Sequence, residues 1–178
     1  MSIVPFSPMK RPLVAILRGV RPEETADIVG ALIDSGMTAI EIPLNSPDPF
    51  RSIEIAVKMA PAGILVGAGT VLTLEAVDRL HDIGGRLLVA PNVDPDVIAR
   101  ARAHGMVTMP GVFTATEALL AAKSGASCLK FFPASVLGPS GISAIRAVIC
   151  RRWCVHLFGA RRTSGTNQDE HRHSHDDG

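Results

Sequence analysis

Short apolar runs recur along the chain at Leu13–Leu17, Ala39–Leu44, Ile64–Gly67, Arg86–Ala90, Met106–Met109 and Cys128–Phe132, a period in the low twenties of residues. Each run is strand-sized and nearly continuous in its hydrophobicity, and each is too short for an independent helix. Between them Glu24–Ser35, Leu74–Ile83, Asp96–His104 and Thr116–Ser124 carry apolar residues at three- and four-residue spacing. That spacing predicts helices with one face packed on a sheet. Thr73 and the pair Asp94-Pro95 are fitted to start helices. Gly36, Gly84, Gly85, Gly105 and Gly125 fall at the helix-to-strand junctions, where a left-handed residue ends a helix without a steric penalty.

Strands apolar on both faces and alternating with helices predict a parallel sheet covered on both sides, an α/β fold. No strand is followed by a dinucleotide glycine fingerprint or a Walker P-loop. The expectation is therefore a TIM-type (β/α) barrel, incomplete, with six of the usual eight units over residues 1–150. After Cys150 the pattern changes. Residues 151–178 hold five Arg and four of the six His, and no amphipathic period survives past Phe158. Trp153–Phe158 is apolar enough for a seventh strand. Residues 151–178 as a whole nonetheless read as a divergent, disordered tail, and the coding sequence is expected to be truncated or shifted in frame near residue 149. His171, His173 and His175 alternate in a way that suits a metal, although a solvated tail explains them as well.

Composition removes several functions. The 18 basic and 17 acidic residues leave a net charge of +1, without the basic surplus of a nucleic-acid binder. Aromatic residues are 4% with no Tyr, which argues against a base-stacking platform. No stretch approaches a membrane span of about 20 apolar residues, and MSIVPFSPMK lacks the apolar run of a signal peptide. Three cysteines, Cys128, Cys150 and Cys154, are too few for a disulfide scaffold and point to a reducing cytoplasm.

In such a barrel the chemistry sits at the carboxyl ends of the strands. Four polar residues occupy those places: Arg18 in AILRGV, Glu41 in AIEIPL, Thr70 in GAGTV and Lys130 in CLKFFP. A lysine inside a doubly buried strand loses hydration, which lowers its pKa and frees the amine to attack a carbonyl. The competing reading is an ammonium that snorkels out or pairs with a carboxylate. Glu41 would shuttle protons beside it, or else form an ion pair with Arg18 or Lys130. Arg18 would grip a substrate carboxylate with its planar fork or simply sit on the rim. Thr70 would donate to the same carboxylate, though capping the next helix is its default reading. The glycines of GAG let backbone approach backbone or ligand closely. Pro43, Pro91, Pro110 and Pro133 fall at strand ends. Cys128 reads as a small core residue, and His81 and His104 as surface residues.

The ordered set AILRG, EIPLNSP, GAGTV, VAPN, MPGVFTATEA and LKFFPA resembles the 2-keto-3-deoxy-6-phospho-sugar-acid aldolases, class I pyruvate aldolases with a compact (β/α) barrel. The likeness runs from about Pro12 to Val148. AILRG with EIPLNSP is most similar to the galactonate branch, and the gluconate branch is the alternative. The resemblance implies Lys130 as the Schiff-base lysine, Glu41 as proton donor and acceptor, Arg18 and Thr70 as contacts of the pyruvate-derived part, and Val89 as a pocket wall. It implies a phosphorylated keto-sugar acid as the small-molecule substrate, cleaved to pyruvate and glyceraldehyde 3-phosphate without metal or cofactor. It also implies a homotrimer, and no nucleic-acid or membrane partner. Members of the family continue with a seventh strand ending in a glycine pair and an eighth ending in glycine and serine, whose loops bind the phosphate. The stretch after Cys150 lacks both, so an inactive open barrel is the second expectation.

Overall fold

A computed structural model describes residues 3–5 and 13–149, and the backbone of 154–157. The elements follow the order β1 (Ala15–Ile16), α1 (Pro22–Asp34), β2 (Ala39–Pro43), α2 (Pro49–Met59), β3 (Leu65–Gly69), α3 (Leu74–Asp82) and β4 (Leu87–Val89). They continue with α4 (Pro95–Ala103), β5 (Val107–Met109), β6 (Gly111–Val112), α5 (Ala115–Ser124), β7 (Cys128–Phe131), α6 (Ala134–Val148) and β8 (Cys154–Leu157). Every strand pairing is parallel, in the order β1-β2-β3-β4-β5 and β6-β7-β8. Pro110 separates β5 from β6: it has no N–H to give, but its carbonyl accepts from Lys130 N at 3.0 Å. The two sheets thus continue one another, making a seven-position arc of the (β/α) barrel type. Among the described residues β1 and β8 each pair on one side only.

The helices begin where local chemistry satisfies their first N–H groups. Thr73 Oγ1 accepts from Ala76 N, and Asp94 Oδ1 accepts from Asp96 N and Val97 N with Pro95 at the first turn. Thr114 and Glu117 form a reciprocal capping box at α5. Helix α6 is broken at Gly138 (φ 67°) and Pro139, where the missing N–H interrupts the ladder.

Side-chain alternation divides the core in two. Ala39, Leu87, Val89, Val107, Met109 and Cys128 cluster on the inner face, with Val4, Val14 and Leu65 against them. Their neighbours of opposite parity, such as Ile40, Ile42, Val66, Ala68 and Leu88, face outward to meet Val29, Ile53, Val77 and Val97 of the helices. Both faces are buried, hence the unbroken apolar runs. Between β5 and β7 a reciprocal pair fixes the register: Thr108 N donates to Ser127 Oγ at 3.0 Å, and Ser127 N donates to Thr108 Oγ1 at 3.1 Å.

All six expected strands and all four expected helices are present, with ends shifted by a residue or two. The strand Cys154–Leu157 pairs with β7 inside the stretch expected to be a disordered tail. It falls within Trp153–Phe158, the apolar run long enough for a seventh strand. The alternating His171, His173 and His175 lie outside the described residues. No helix among the described residues is long and apolar enough to cross a membrane.

Candidate active site

At the carboxyl ends of the strands the inner face changes from hydrocarbon to charge. Ala39 and Cys128 belong to the inner apolar cluster; two residues further along the same strands stand Glu41 and Lys130. Period-two alternation keeps each pair on one face. Both charged residues are buried, Glu41 at 1% and Lys130 at 8% exposure. Burial holds the Glu41 carboxyl above the usual carboxylate range, against the opposing charges of Lys130 and Arg18. Burial likewise holds the Lys130 ammonium below the usual lysine range; Glu41 opposes this shift and Arg18 adds to it. Both groups are thus drawn toward their neutral forms while remaining within each other's field. The Lys130 Nζ lies 5.1 Å from the centre of the Phe132 ring, within cation–π distance.

Space around the carboxylate is set by Gly69, which pairs with Pro43 across β2 and β3. A Cβ at Gly69 would overlap Glu41 Oε2. One strand turn earlier, a Cβ at Gly67 would overlap the Leu87 backbone. The two glycines of GAG therefore serve different approaches, one to a neighbouring strand and one to the acid. Glu41 Oε2 is buried and accepts no hydrogen bond among the described residues, so it has lone pairs available for a proton or a hydroxyl group.

The expected rim residues divide. Val89 is fully buried in the inner cluster. Arg18 is exposed, but its charge reaches both Glu41 and Lys130. Thr70 does not cap the next helix: that place belongs to Thr73, three residues on. Thr70 instead sits in left-handed backbone at φ 59°, a rare state for a β-branched residue. It is clamped between Leu44 N donating to Gly69 O at 2.8 Å and Val71 N donating to Val89 O at 3.2 Å. Such strain is held by surrounding structure and concentrates at functional sites.

Similar bonds lace the whole mouth. Leu17 N donates to Glu41 O at 2.9 Å, Ala90 N to Met109 O at 3.2 Å, and Phe132 N to Val112 O at 3.1 Å. Gly19 N donates to Ser46 Oγ at 3.0 Å. Ser46 and the acid-facing role of Gly69 were not identified from sequence; the only signal was their membership in EIPLNSP and GAGTV.

Cys128 is a buried core residue, as its surroundings in the sequence suggested. His81 and His104 lie away from the mouth, stacked at 4.1 Å, with His104 Nε2 2.8 Å from Asp78 Oδ1. Among the described residues no group of three or more His, Cys, Asp or Glu is disposed to hold a metal ion.

Residues 7–159 match the family model described as KDPG and KHG aldolase. The chain is 72% identical over 149 residues to a probable 2-dehydro-3-deoxy-6-phosphogalactonate aldolase of Rhizobium meliloti (strain 1021), covering 84% of this chain and 70% of that protein. It is 50% identical over 150 residues to the 2-dehydro-3-deoxy-6-phosphogalactonate aldolase of Escherichia coli (strain K12), covering 84% and 73%. A solved native KDPGal structure superposes with a TM-score of 0.84 at 46% identity, covering 87% of this chain and 75% of that one.

Proposed function

The chain belongs to the KDPG and KHG aldolase family, and on that premise we propose that it cleaves 2-dehydro-3-deoxy-6-phosphogalactonate reversibly to pyruvate and glyceraldehyde 3-phosphate through a Schiff base on Lys130. The observation that carries this reading is the buried pair of Lys130 and Glu41 on one inner face at the strand ends. An amine held below the ordinary lysine range loses its proton more readily than a free one, as a nucleophile must. A carboxyl held above the ordinary range takes up a proton more readily than a free one and can return it.

The Lys130 amine adds to the C2 carbonyl of the keto acid, giving a carbinolamine. Glu41 protonates the departing hydroxyl, which leaves as water, and an iminium forms. The C3–C4 bond then breaks: its electron pair flows into the iminium to give an enamine, and the C4 hydroxyl proton passes through water to Glu41. The aldehyde departs as glyceraldehyde 3-phosphate. Protonation of the enamine carbon by the same carboxyl and hydrolysis of the iminium release pyruvate and restore the amine. Arg18 and Thr70 hold the C1 carboxylate, and Val89 forms the apolar wall against C3. The iminium supplies the electron sink within the chain's own side chains. The reducing compartment suggested by cysteine usage would be the cytoplasm, and likeness to the family supports a homotrimer.

Among the described residues β1 and β8 are each unpaired on one side, which favours a second reading, a barrel that retains the lysine chemistry but turns over phosphorylated substrate poorly. One measurement tests the chemistry the two readings share, and a second separates them. Borohydride reduction with pyruvate, followed by peptide mass mapping, is expected to label Lys130; a labelled peptide without Lys130 would remove the assignment. Pyruvate release from 2-dehydro-3-deoxy-6-phosphogalactonate then distinguishes a working aldolase from one limited to imine formation.

A further inference from the structure

The loop after β2 is exposed at Asn45, Pro47 and Asp48, yet Ser46 between them is buried. Its backbone N donates to Pro43 O at 2.9 Å, so the residue is tied directly to the end of the strand that bears Glu41. Its hydroxyl oxygen faces the preceding loop and accepts from Gly19 N at 3.0 Å, a contact across 27 residues of sequence. Gly19 is the third residue of a turn in which Val20 N reaches back to Leu17 O at 3.4 Å, and its φ is +83°. A positive φ at that position is the mark of a type II turn. The middle peptide of such a turn joins Arg18 to Gly19, and its N–H makes no bond within the turn. Rotating that peptide converts type II to type I and changes ψ of Arg18. Ser46 supplies an acceptor that holds it in place.

We propose that Ser46 is the positioning residue for Arg18: by holding the Arg18–Gly19 peptide plane it sets the direction from which the guanidinium meets a substrate carboxylate. The inference rests on the Schiff-base reading above, in which Arg18 binds the carboxylate of pyruvate. Ser46 does not touch the reacting atoms. Its loss therefore weakens carboxylate binding and spares the step at Lys130.

The test uses the full chain, with pyruvate as probe and borohydride trapping as readout. Ser46→Ala, and Ser46→Cys as a variant of nearly equal volume with a weak acceptor, are expected to raise half-saturating pyruvate about two- to tenfold, the range of one hydrogen bond. The limiting trapping rate at saturating pyruvate should change less than about twofold, since one lost hydrogen bond away from the reacting atoms spares the chemistry. Ser46→Thr, which keeps the acceptor, should restore the half-saturation value. In an Arg18→Ala background, which itself raises half-saturation, Ser46→Ala should add almost nothing, because coupled residues are not additive. An unchanged half-saturation in Ser46→Ala and Ser46→Cys, or an equal effect with and without Arg18, would overturn the role of Ser46 alone. Absence of any imine in the unsubstituted chain would overturn it together with the Schiff-base reading.

Discussion

The two ends of this barrel differ in what they do with space. At the amino ends of the strands lies a cleft of about 860 Å³, bordered by Met37, Thr38, Ile64, Leu65, Arg86 and Val107. Its border mixes alkyl side chains with the polar Thr38 and Arg86, the latter exposed at the edge. The carboxyl ends hold two buried ionisable groups of opposite sign, a strained threonine and a glycine whose missing side chain makes room for a carboxylate. Desolvated charge is what sets the carboxyl-end face apart. A cleft among alkyl side chains shifts no proton, whereas burying Lys130 and Glu41 moves both toward the neutral forms that addition and proton transfer require. The same division between a catalytic carboxyl-end face and a stabilising amino-end face is general in (β/α) barrels.

Lys130→Met would break the contrast most completely. Imine formation with pyruvate should vanish, as read by borohydride labelling, while the denaturation midpoint stays level or rises, because a buried cation is exchanged for an apolar chain of similar length. A fall in midpoint with retained labelling would reverse the assignment of this residue from chemistry to support.

Glu41→Gln comes next, with proton exchange at the pyruvate methyl slowed about 10²–10⁴-fold and pyruvate affinity much less affected. The substitution also alters the pH dependence of folding. A carboxyl whose folded-state pKa is raised contributes stability that is full below its unfolded pKa and lost as pH rises through the folded value. Denaturant titrations of the unsubstituted chain should show that decline above the ordinary carboxyl range, and Glu41→Gln should flatten it. A parallel pair of pH profiles would show that the buried acid is not the titrating group.

Gly69→Ala tests whether the space beside the acid matters. The added methyl overlaps Glu41 Oε2 and must displace the carboxyl. A displacement of about 1 Å is enough to cost about 10²-fold in turnover. Methyl proton exchange measures it, and a normal rate would mean that the carboxylate has room elsewhere.

The smallest effect is expected at the opposite end. Thr38 borders the amino-end cleft, and its Oγ1 is buried without a hydrogen-bond partner among the described residues. Thr38→Val keeps the shape and removes the unsatisfied hydroxyl, stabilising the fold by about 1 kcal/mol. Pyruvate trapping should be untouched. A change in trapping would show that the two ends are coupled through the inner cluster.

Much of this arrangement was legible from residue order because period and burial leave a direct imprint. A strand buried on both faces must be apolar at every position, so β2 and β7 announced themselves, and one charge in each stood out. Helix starts were legible at Thr73 and Asp94 because capping is a local bond. What escaped depends on partners distant in sequence. The orientation of Ser46 is decided by Gly19, 27 residues earlier. Thr70 was expected to cap a helix, because nothing local reveals that the bonds on either side of it come from Leu44 and Val89. The division of β5 from β6 was hidden for a similar reason: Pro110 reads as the end of a strand, although its carbonyl keeps the ladder going by accepting from Lys130.

The strict sequential order of the strands has a consequence for how the chain is made. Ala15 pairs with Ile40, Ala39 with Leu65, Leu87 with Val107, Gly111 with Lys130 and Cys128 with Cys154, so partners lie between 19 and 26 residues apart. No pairing in this arc waits for a residue further along than the next strand. A chain emerging from the ribosome at about 5–20 residues per second exposes each new edge for only a few seconds before its partner follows. The sheet can therefore be assembled in the order of synthesis, with one growing edge at a time open to a wrong partner. Glu41 is in place early, between its two neighbouring strands. Lys130 is added later, when the strands that precede it in the arc have been built.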